Sequence, residues 1–382
     1  MTALAEGVVI VGSGLGGYSL AREFRKLDRE TPVTVVTADG GESYSKPMLS
    51  NAFAQGKSIA ALVMKTAEQM AAELNITVLT RHRLTGIDRD HKRITLEGAT
   101  TALSYDKLVL AIGADPRDYK VEGSDVVPVR TVNDLDGYAA WRDALPQGGK
   151  VLLIGAGLIG AEFANDLVGA GYAVTLVDPA PWPLGRLLPE ALGKAMAEAL
   201  TAAGITLHLS RSVTKLEPGV ATLDDGTQVA FDQALSAIGL IPRTKLAVDA
   251  GITVDKGVVV DKQLRTNDPA IFAVGDCAQT AVGPLPFVLP LMAQARALAA
   301  NLAGTPTDLK LPAMPVVVKT PCLPVAVCPP PFGLAGSWSV EGEGRDLRAL
   351  YLDQDGKPQG FALTGTKAAE RQTLGKTMPD ML

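Results

Sequence analysis

A glycine pattern of the form G-x-G-x-x-G occurs twice in this chain, each time directly after a short aliphatic run. The first copy follows residues 7–11 and begins at Gly12, and the second follows residues 150–154 and begins at Gly155. A strand that ends in such a turn and opens a helix directs backbone N–H groups and the positive end of a helix dipole at one point, where a pyrophosphate can bind. A single copy is weak evidence, because glycine-rich turns also occur in ordinary α/β proteins. Two copies in the same context predict two dinucleotide-binding modules.

The three glycines of each pattern have separate predicted tasks. The first makes the tight turn, the second lets the backbone approach the phosphates, and the third lets the helix pack closely on its strand. In chain order these residues are Gly12, Gly14 and Gly17 in the first copy and Gly155, Gly157 and Gly160 in the second, with Leu15 and Gly16 completing the first turn.

An acidic residue near the end of the second strand of such a module can bind a ribose hydroxyl. Asp178 stands directly at the end of the strand predicted for 173–178, and no arginine follows it. A carboxylate there hydrogen-bonds a free 2′-hydroxyl and repels a 2′-phosphate, which predicts NADH rather than NADPH in the second module. The strand predicted for 32–36 in the first module leads to Ala38, and the nearest acid is Asp39. Asp39 is therefore either the ribose ligand or a loop residue, because it lies one or two positions late.

The two modules also share a later segment. Ala-Ile-Gly followed by Pro-Arg occurs at residues 111–117 and again at residues 237–243, where the glycine is Gly239. An internal duplication of a nucleotide-binding module explains this better than chance does. Residues 313–382 contain further strand and turn signals that are typical of a small α+β domain. The sequence therefore predicts an α/β fold with two Rossmann-like dinucleotide-binding domains and a small C-terminal α+β domain.

Charge and composition argue against several classes of protein. The net charge of −5, with acids and bases interspersed, does not indicate nucleic-acid binding, and no apolar run approaches the span of a bilayer. The first apolar run lacks a basic flank and is interrupted by glycines, so it does not resemble a signal peptide, and we expect a cytoplasmic protein. The three cysteines and three histidines have no spacing typical of a disulfide framework or a metal site.

Together these motifs resemble those of the two-dinucleotide-binding flavoprotein reductases, the family that includes glutathione reductase. In that family the first glycine pattern binds FAD, the second binds the nicotinamide nucleotide, and a Thr-x-x-x-x-Ile-x-Ala-x-Gly-Asp segment returns to the flavin. Residues 266–276 match that segment, so the resemblance implies that Asp276 hydrogen-bonds the ribityl chain of FAD. It also implies three domains, which are an FAD-binding domain (1–112 and 244–312), an NAD-binding domain (113–243) and a C-terminal domain (313–382).

The segment after the first acid distinguishes the subgroups of this family. Disulfide reductases carry two cysteines there and NADH peroxidases and oxidases carry one, whereas residues 40–60 contain none. The loop 43–51 is similar instead to the Tyr-Asp-Arg-Pro-Pro-Leu-Ser-Lys segment of reductases that supply ferredoxins and rubredoxins. Lys46 stands where the ferredoxin-type enzymes have arginine, and Asn51 replaces their final lysine. The loop 43–51 and the segment 315–321 are closest to rubredoxin reductases and the related flavorubredoxin reductases.

The resemblance also implies roles for individual side chains. Lys46 and Glu162 are the candidate catalytic residues beside the flavin and the nicotinamide. Each has a simpler interpretation, because a lysine in a loop is usually solvated and a glutamate in the first turn of a helix is favoured by the helix dipole. The other residues implied for the cofactors are Lys319 near the flavin, Val288 at the start of a helix facing its pyrimidine end, Leu84 beside the adenine, and Gly239.

The implied activity is that of an NADH-dependent flavoprotein reductase that takes hydride onto FAD and passes single electrons to rubredoxin. Such chemistry requires no side-chain nucleophile or general base. Because rubredoxins are small and acidic, a basic patch is expected around the exposed edge of the flavin. The alternatives are a ferredoxin reductase, a flavorubredoxin reductase, or a non-catalytic redox-sensing protein on the same fold.

Overall fold

Two parallel β-sheets form the centres of the two larger units of this protein. The structure is a computed structural model and describes residues 7–98 and 102–382. The first sheet has five parallel strands, in the spatial order Ile271–Ala273, Lys107–Leu110, Val8–Val11, Val33–Val36 and Thr77–Leu79. The second also has five, in the order Val129–Arg130, Gln233–Ser236, Lys150–Ile154, Ala173–Asp178 and Thr206–Leu209.

The two sheets share one topology. In each, the strand that precedes the glycine pattern is central, with the second strand of the module on one side and the Ala-Ile-Gly strand on the other. The central strand Val8–Val11 is buried along its whole length, as expected for a parallel strand covered on both faces. This arrangement confirms the predicted fold class of the two modules.

Each parallel sheet is accompanied by a three-stranded antiparallel sheet at the same place in its module. The first consists of Leu84–Asp88, Arg93–Leu96 and Leu103–Ser104, and the second of Val213–Glu217, Val220–Leu223 and Gln228–Ala230. The sequence Asp-Asp-Gly at residues 224–226 predicts a hairpin turn, and the antiparallel sheet of the second module turns there. Two smaller sheets pair Ser43–Tyr44 with Val63–Lys65, and Val258–Val259 with Ala278–Thr280 and Gly283–Pro284.

The two modules are joined by their corresponding segments. The strand Ala114–Pro116 follows the first Ala-Ile-Gly and pairs antiparallel with Leu240–Pro242, which follows the second. Arg243 Nη2 lies 2.6 Å from Asp115 Oδ1 across this pair. After the second sheet the chain returns to the first through Ile271–Ala273, which pairs with Lys107–Leu110. The domain boundaries proposed from the sequence stay a prediction.

The C-terminal part of the chain forms a separate antiparallel sheet. Its five strands lie in the order Val316–Val318, Val325–Cys328, Pro358–Thr364, Asp346–Asp353 and Gly336–Glu343. The short helices Gly365–Glu370 (3₁₀) and Arg371–Gly375 follow the sheet. Buried apolar residues such as Ala326, Phe361 and Leu363 join it to these helices, which gives the small α+β unit that the sequence predicts.

The remaining helices cover the parallel sheets and connect their strands. They are Leu15–Leu27, Ile59–Leu62, Ala67–Leu74, Leu135–Ala144, Leu158–Gly169, Glu190–Ala202, Lys245–Asp249 and Val288–Leu302, with 3₁₀ turns at Lys46–Asn51 and Gly275–Cys277. None of the helices within residues 7–98 and 102–382 combines the length and the apolar composition that a crossing of the bilayer requires.

Two elements differ from the sequence-based prediction. The alanine-rich segment 291–304 predicts a helix, which in the structure begins earlier, at Val288, with Pro290 inside its first turn. Proline is tolerated there because the first N–H groups of a helix have no partner within the helix. The run 265–278, which contains the Gly-Asp pair, predicts one strand, but the structure divides it into Ile271–Ala273 and a second strand that begins at Ala278. The left-handed backbone at Gly275 (φ +80°) turns the chain into a short 3₁₀ helix between them.

The third glycine of the first pattern supports a direct test of this packing. A Cβ atom at Gly17 would lie 1.9 Å from the carbonyl oxygen of Gly12, whereas a Cβ at Gly14 meets no atom within 4 Å. We expect Gly17→Ala to lower the free energy of unfolding by about 4 kcal/mol or more, because helix and strand must separate. Gly14→Ala, the matched control, should cost about 1 kcal/mol or less. Urea unfolding of both purified variants checks this, and equal losses would contradict the packing argument.

Candidate functional site

The two glycine turns have nearly the same backbone geometry. The first glycines, Gly12 and Gly155, both have left-handed backbones, with φ values of +112° and +104°. The third glycine of the second copy, Gly160, repeats the close approach, since its Cβ would lie 1.8 Å from the Gly155 carbonyl oxygen. Only glycine fits these positions without displacing the neighbouring backbone. The tasks predicted for the first and third glycines therefore have a geometric basis in both copies.

The helices after the two turns begin in a way that suits a phosphate. Gly14 and Gly157 are their N-cap residues, and neither helix has a side chain that caps its first N–H groups. A Cβ at either glycine would meet no atom within 4 Å, so the space beside both helix starts is open. By contrast, the helix Leu135–Ala144 is capped by the Asp134 carboxylate. Uncapped N–H groups beside open space are what the pyrophosphates of FAD and NADH need, so the residues present fit these groups.

Asp39 lies at the first glycine turn although it comes late in the sequence. Its Oδ1 accepts hydrogen bonds from Thr37 Oγ1 at 2.6 Å, from the Gly41 N–H at 2.9 Å and from Ser13 Oγ at 3.0 Å. Ser13 is the residue between the first two glycines of the pattern. The hydroxyls of Ser13 and Thr37 therefore hold the carboxylate of Asp39 against the turn, next to Ala38 at the strand end.

Asp178 occupies the corresponding place in the second module. One carboxylate oxygen accepts from the Ala156 N–H at 2.5 Å and the other from the Ala180 N–H at 2.7 Å. Ala156 stands where Ser13 stands in the first copy, so both acids contact the residue that follows the first glycine of their turn. The two carboxylates are thus held at equivalent positions by different donors.

Glu162 lies where the two modules and the C-terminal sheet meet. Its side chain is only 1% exposed. Its Oε2 lies 2.7 Å from Lys319 Nζ and accepts a 2.7 Å hydrogen bond from Ser50 Oγ, while its Oε1 accepts from the Lys319 N–H at 2.9 Å. Lys319 Nζ also donates to Ser50 Oγ at 2.9 Å and to the Pro47 carbonyl. The structure therefore brings together two predicted residues, Glu162 and Lys319, around a third, Ser50.

The position of Glu162 in its helix corrects one sequence-based interpretation. The helix begins at Leu158 rather than near residue 161, so Glu162 is its fifth residue and belongs to the second turn. The attraction between a carboxylate and a helix N-terminus falls off within the first turn. The burial of this charge is therefore explained by its partners Ser50 and Lys319 and not by the helix dipole.

A second buried carboxylate fixes the same loop. Asp166, one turn further along the helix, accepts hydrogen bonds from the N–H groups of Phe53 at 3.0 Å and Ala54 at 2.9 Å. Burial raises the pKa of Asp166, and these two N–H groups oppose that effect. The Arg142 guanidinium lies over the Phe53 ring, 4.8 Å from its centroid. Asp166 thus holds the end of the 46–54 segment and thereby positions Ser50 against Glu162.

Lys46, at the other end of that segment, is largely enclosed. Its Nζ donates to Asn133 Oδ1 at 2.6 Å, and Asn133 Nδ2 donates to the Ala114 carbonyl at 2.9 Å. Burial lowers the pKa of Lys46, and the nearby carboxylate of Asp276 opposes this. Burial likewise raises the pKa of Asp276, and Lys46 opposes that shift. Lys46 is therefore not a solvated loop lysine, and it shares one site with Asp276.

A cleft of about 460 Å³ opens beside Asp276. Its walls are the two paired strands that join the modules and the segments that follow the second module. Residues from these walls include Ala114, Arg117, Leu240, Thr244, Lys256 and Asp276. The cleft opens to solvent where the paired strands Ala114–Pro116 and Leu240–Pro242 lie near Asp276.

Three other predicted residues lie apart from the Glu162 cluster. Leu84 begins the first antiparallel sheet, and its side chain is buried in the core of the first module. Val288 begins its helix and is exposed. Gly239 has a left-handed backbone (φ +109°) before the joining strand, and its carbonyl accepts from the Arg117 N–H at 3.0 Å. Their cofactor contacts stay predictions.

Four residues of the site were not identified from the sequence. They are Ser13, Ser50, Asn133 and Asp166. Two of them had a signal in the sequence. Ser13 lies inside a glycine pattern, and Asp166 lies four residues after Glu162 on the same helix face. Ser50 lies in the loop 43–51 that resembles the family segment, but its partner Glu162 lies 112 residues away, and Asn133 gave no signal, because its partner lies 87 residues away.

Two family models match this chain. The model described as pyridine nucleotide-disulphide oxidoreductase matches residues 6–297. The model described as rubredoxin binding C-terminal domain matches residues 308–378. The second match coincides with the separate antiparallel sheet at the C-terminus.

Similar proteins cover nearly the whole chain. The chain is 46% identical over 380 residues to a rubredoxin-NAD(+) reductase of Alcanivorax borkumensis, which covers 98% of this chain and 99% of that protein. It is 36% identical over 377 residues to a nitric oxide reductase FlRd-NAD(+) reductase of Aeromonas hydrophila, covering 97% and 96%. Among solved structures, the covalent putidaredoxin reductase-putidaredoxin complex has a TM-score of 0.88 at 28% identity and covers 98% of this chain and 94% of that chain.

The ion pair between Glu162 and Lys319 predicts that loss of the lysine alone destabilises the protein more than loss of both charges. Lys319→Met should lower the free energy of unfolding by about 3–5 kcal/mol, because it leaves the Glu162 charge buried without its cation. Adding Glu162→Gln to that variant should recover a large part of the loss, since no uncompensated charge then remains. Urea unfolding of the two single variants and the double variant measures this, and strictly additive losses would contradict the coupling.

Proposed function

This chain belongs to the pyridine nucleotide-disulphide oxidoreductase family, and we propose that it is an FAD-dependent, NADH-oxidising reductase that delivers single electrons to a rubredoxin. The observation that carries this proposal is the C-terminal unit. This unit matches a rubredoxin-binding domain. Its Lys319 forms an ion pair with Glu162 at the junction of the two glycine-turn modules. The unit that contacts the acceptor is thereby joined to the unit that holds the cofactors.

The chemistry that bound FAD would supply is acceptance of a hydride from NADH and release of the two electrons one at a time to an iron–sulfur acceptor. The first glycine turn, with Gly14 and Asp39, would hold the pyrophosphate and ribose of FAD, and Asp276 would bind its ribityl chain. The second turn, with Gly157 and Asp178, would hold NADH. Lys46, Glu162 and Lys319 would set the charge around the reacting rings and keep their surroundings rigid. No side chain needs to act as nucleophile or general base.

The cysteines of this chain are poorly suited to the disulfide chemistry in the family name. Cys277 and Cys328 are buried, and burial raises the pKa of each thiol to about 11. Burial also raises the pKa of Cys322. The thiolate is the reactive form of cysteine, so all three are held in the unreactive form at neutral pH. This supports electron delivery to an external carrier over a thiol relay.

The second candidate is delivery to a flavorubredoxin. The relative from Aeromonas hydrophila is named nitric oxide reductase FlRd-NAD(+) reductase and is similar over nearly the full chain. The higher identity to the relative from Alcanivorax borkumensis favours rubredoxin.

We also propose a cytoplasmic location. Cys277, Cys322 and Cys328 are all free thiols. Unpaired cysteines are typical of reducing compartments. An enzyme that consumes NADH also has to work where NADH is supplied.

Asp178 predicts the choice of reductant. With NADPH in place of NADH, kcat/KM should fall by roughly tenfold or more, because two like charges a few ångströms apart repel by about 1–4 kcal/mol. Asp178→Asn should reduce this preference, whereas Asp125→Asn, an exposed acid in the 118–128 loop, should leave it unchanged. Steady-state kinetics with both nucleotides checks this. Equal use of NADPH by the unaltered enzyme would refute the assignment of Asp178.

The acceptor itself is tested by comparing a rubredoxin with a ferredoxin under NADH-saturated conditions. We expect kcat/KM for rubredoxin to be at least about tenfold higher. It should fall severalfold between low and physiological salt, because attraction between an acidic carrier and a basic patch is screened. Reduction of an uncharged quinone is the control and should not change with salt. Faster reduction of ferredoxin would refute the proposed function, and rubredoxin reduction without salt dependence would refute the basic patch.

A further inference from the structure

One aromatic side chain of the C-terminal unit projects fully into solvent. Phe332 is completely exposed, whereas Phe24, Phe53 and Phe361 are buried. It lies in the loop 329–335, called here the Phe332 loop, which reads Pro-Pro-Pro-Phe-Gly-Leu-Ala. Exposure of a whole phenyl ring to water is unfavourable, since burial of such a side chain contributes about 1.5–3 kcal/mol. A single exposed ring is common on protein surfaces, so its rigid support and its neighbours decide what it indicates.

The Phe332 loop is rigidly built. The Leu334 N–H donates to the Pro331 carbonyl at 3.2 Å, and Gly333 has a left-handed backbone (φ +77°). This places Phe332 at the second position of a tight turn, the point that projects furthest, and three prolines limit the backbone before it. Tyr351 Oη donates to the Leu334 carbonyl at 2.7 Å and fixes the turn to the C-terminal sheet. A ring presented by a rigid turn loses little conformational entropy on binding, which favours its use as an anchor.

The ring also lies beside the cleft of the first module. Lys256 Nζ is 5.7 Å from the centroid of the Phe332 ring, and Lys256 is among the residues that line the cleft beside Asp276. In the part of the chain that the structure describes, Lys256 makes no salt bridge, so its charge stays available. An exposed aromatic ring and an available cation therefore stand together at the rim of the candidate flavin site.

We propose that the Phe332 loop, with Lys256 beside it, is the anchor on which the acidic electron carrier docks. The proposal rests on the proposed function and specifies where on the C-terminal unit the carrier binds. The match to a rubredoxin-binding domain covers the whole loop, and the charge of Lys256 is complementary to an acidic partner. Aromatic residues are enriched among the few that dominate binding energy at protein interfaces. A partner seated on Phe332 covers the rim of the cleft beside Asp276.

A second copy of this chain is the competing occupant. The strand Gly336–Glu343 follows the loop, forms the edge of its sheet and is exposed along nearly its whole length. Exposed edge strands are places where chains associate. Glu343 near the end of this strand adds a charge that disfavours pairing with a second copy, whereas the charge of Glu341 is already paired with Arg348.

The experiment uses the full-length enzyme loaded with FAD and compares Phe332→Ala with two controls. Phe332→Leu keeps an apolar side chain, and Met64→Ala removes another exposed apolar side chain that lies outside the C-terminal unit. We expect Phe332→Ala to raise KM for rubredoxin roughly tenfold, with turnover of NADH against an uncharged quinone unchanged. Phe332→Leu should recover part of the loss, and Met64→Ala should match the unaltered enzyme. Lys256→Gln should raise KM severalfold and weaken its salt dependence.

The possible results separate the two proposals. Rubredoxin reduction with the same KM in Phe332→Ala and unaltered enzyme overturns the docking assignment while leaving the proposed function standing. An unaltered enzyme that reduces quinone with NADH but no rubredoxin overturns both. If light scattering shows a dimer that Phe332→Ala converts to a monomer, without a change in KM, then a second copy is the occupant and the docking assignment is wrong.

Discussion

The buried carboxylate of Glu162 is the interaction on which the arrangement of this protein depends. A charge that is only 1% exposed requires partners, since desolvation of an unpaired carboxylate costs several kcal/mol. Its partners come from the 46–51 turn of the first module and from Lys319 of the C-terminal unit, while Glu162 itself belongs to the second module. One ionic contact thus fixes three units at the place where the cofactors would meet. Asp166 adds a second attachment one turn away, which holds the 46–54 segment by its backbone.

The duplicated modules show how one architecture is adapted to two nucleotides. The backbone of the two glycine turns is nearly the same, so both offer uncapped N–H groups to a phosphate. The difference lies in how each acid is held. Asp178 is bonded to backbone N–H groups alone, whereas Asp39 uses one backbone N–H and the hydroxyls of Ser13 and Thr37. The side chains of Ser13 and Thr37 span the distance to the carboxylate, which explains why Asp39 can lie late in the sequence and still contact its turn.

The features that are local in sequence could be predicted, and those that join distant segments could not. The glycine turns, the strands around them and the position of Asp178 follow from patterns of fewer than thirty residues. Ser50 meets Glu162 only because two modules and a third unit pack together, with 112 residues between the two side chains. The start of the helix at Leu158 was also misjudged, because the second glycine pattern itself supplies the N-cap. That error produced the interpretation of Glu162 as a helix-terminal charge.

In the C-terminal unit, the partly buried Lys319 and the exposed Phe332 lie beyond opposite ends of the strand Val325–Cys328. Lys319 follows Val316–Val318, and Val318 pairs with Val325 at the start of the neighbouring strand Val325–Cys328. The Phe332 loop leaves the other end of that strand. Four residues of extended chain span about 13 Å, so this fully buried strand sets the spacing between its two ends. A carrier docked on the Phe332 loop would therefore sit at one end of a buried strand whose other end lies beside the contact between Lys319 and Glu162.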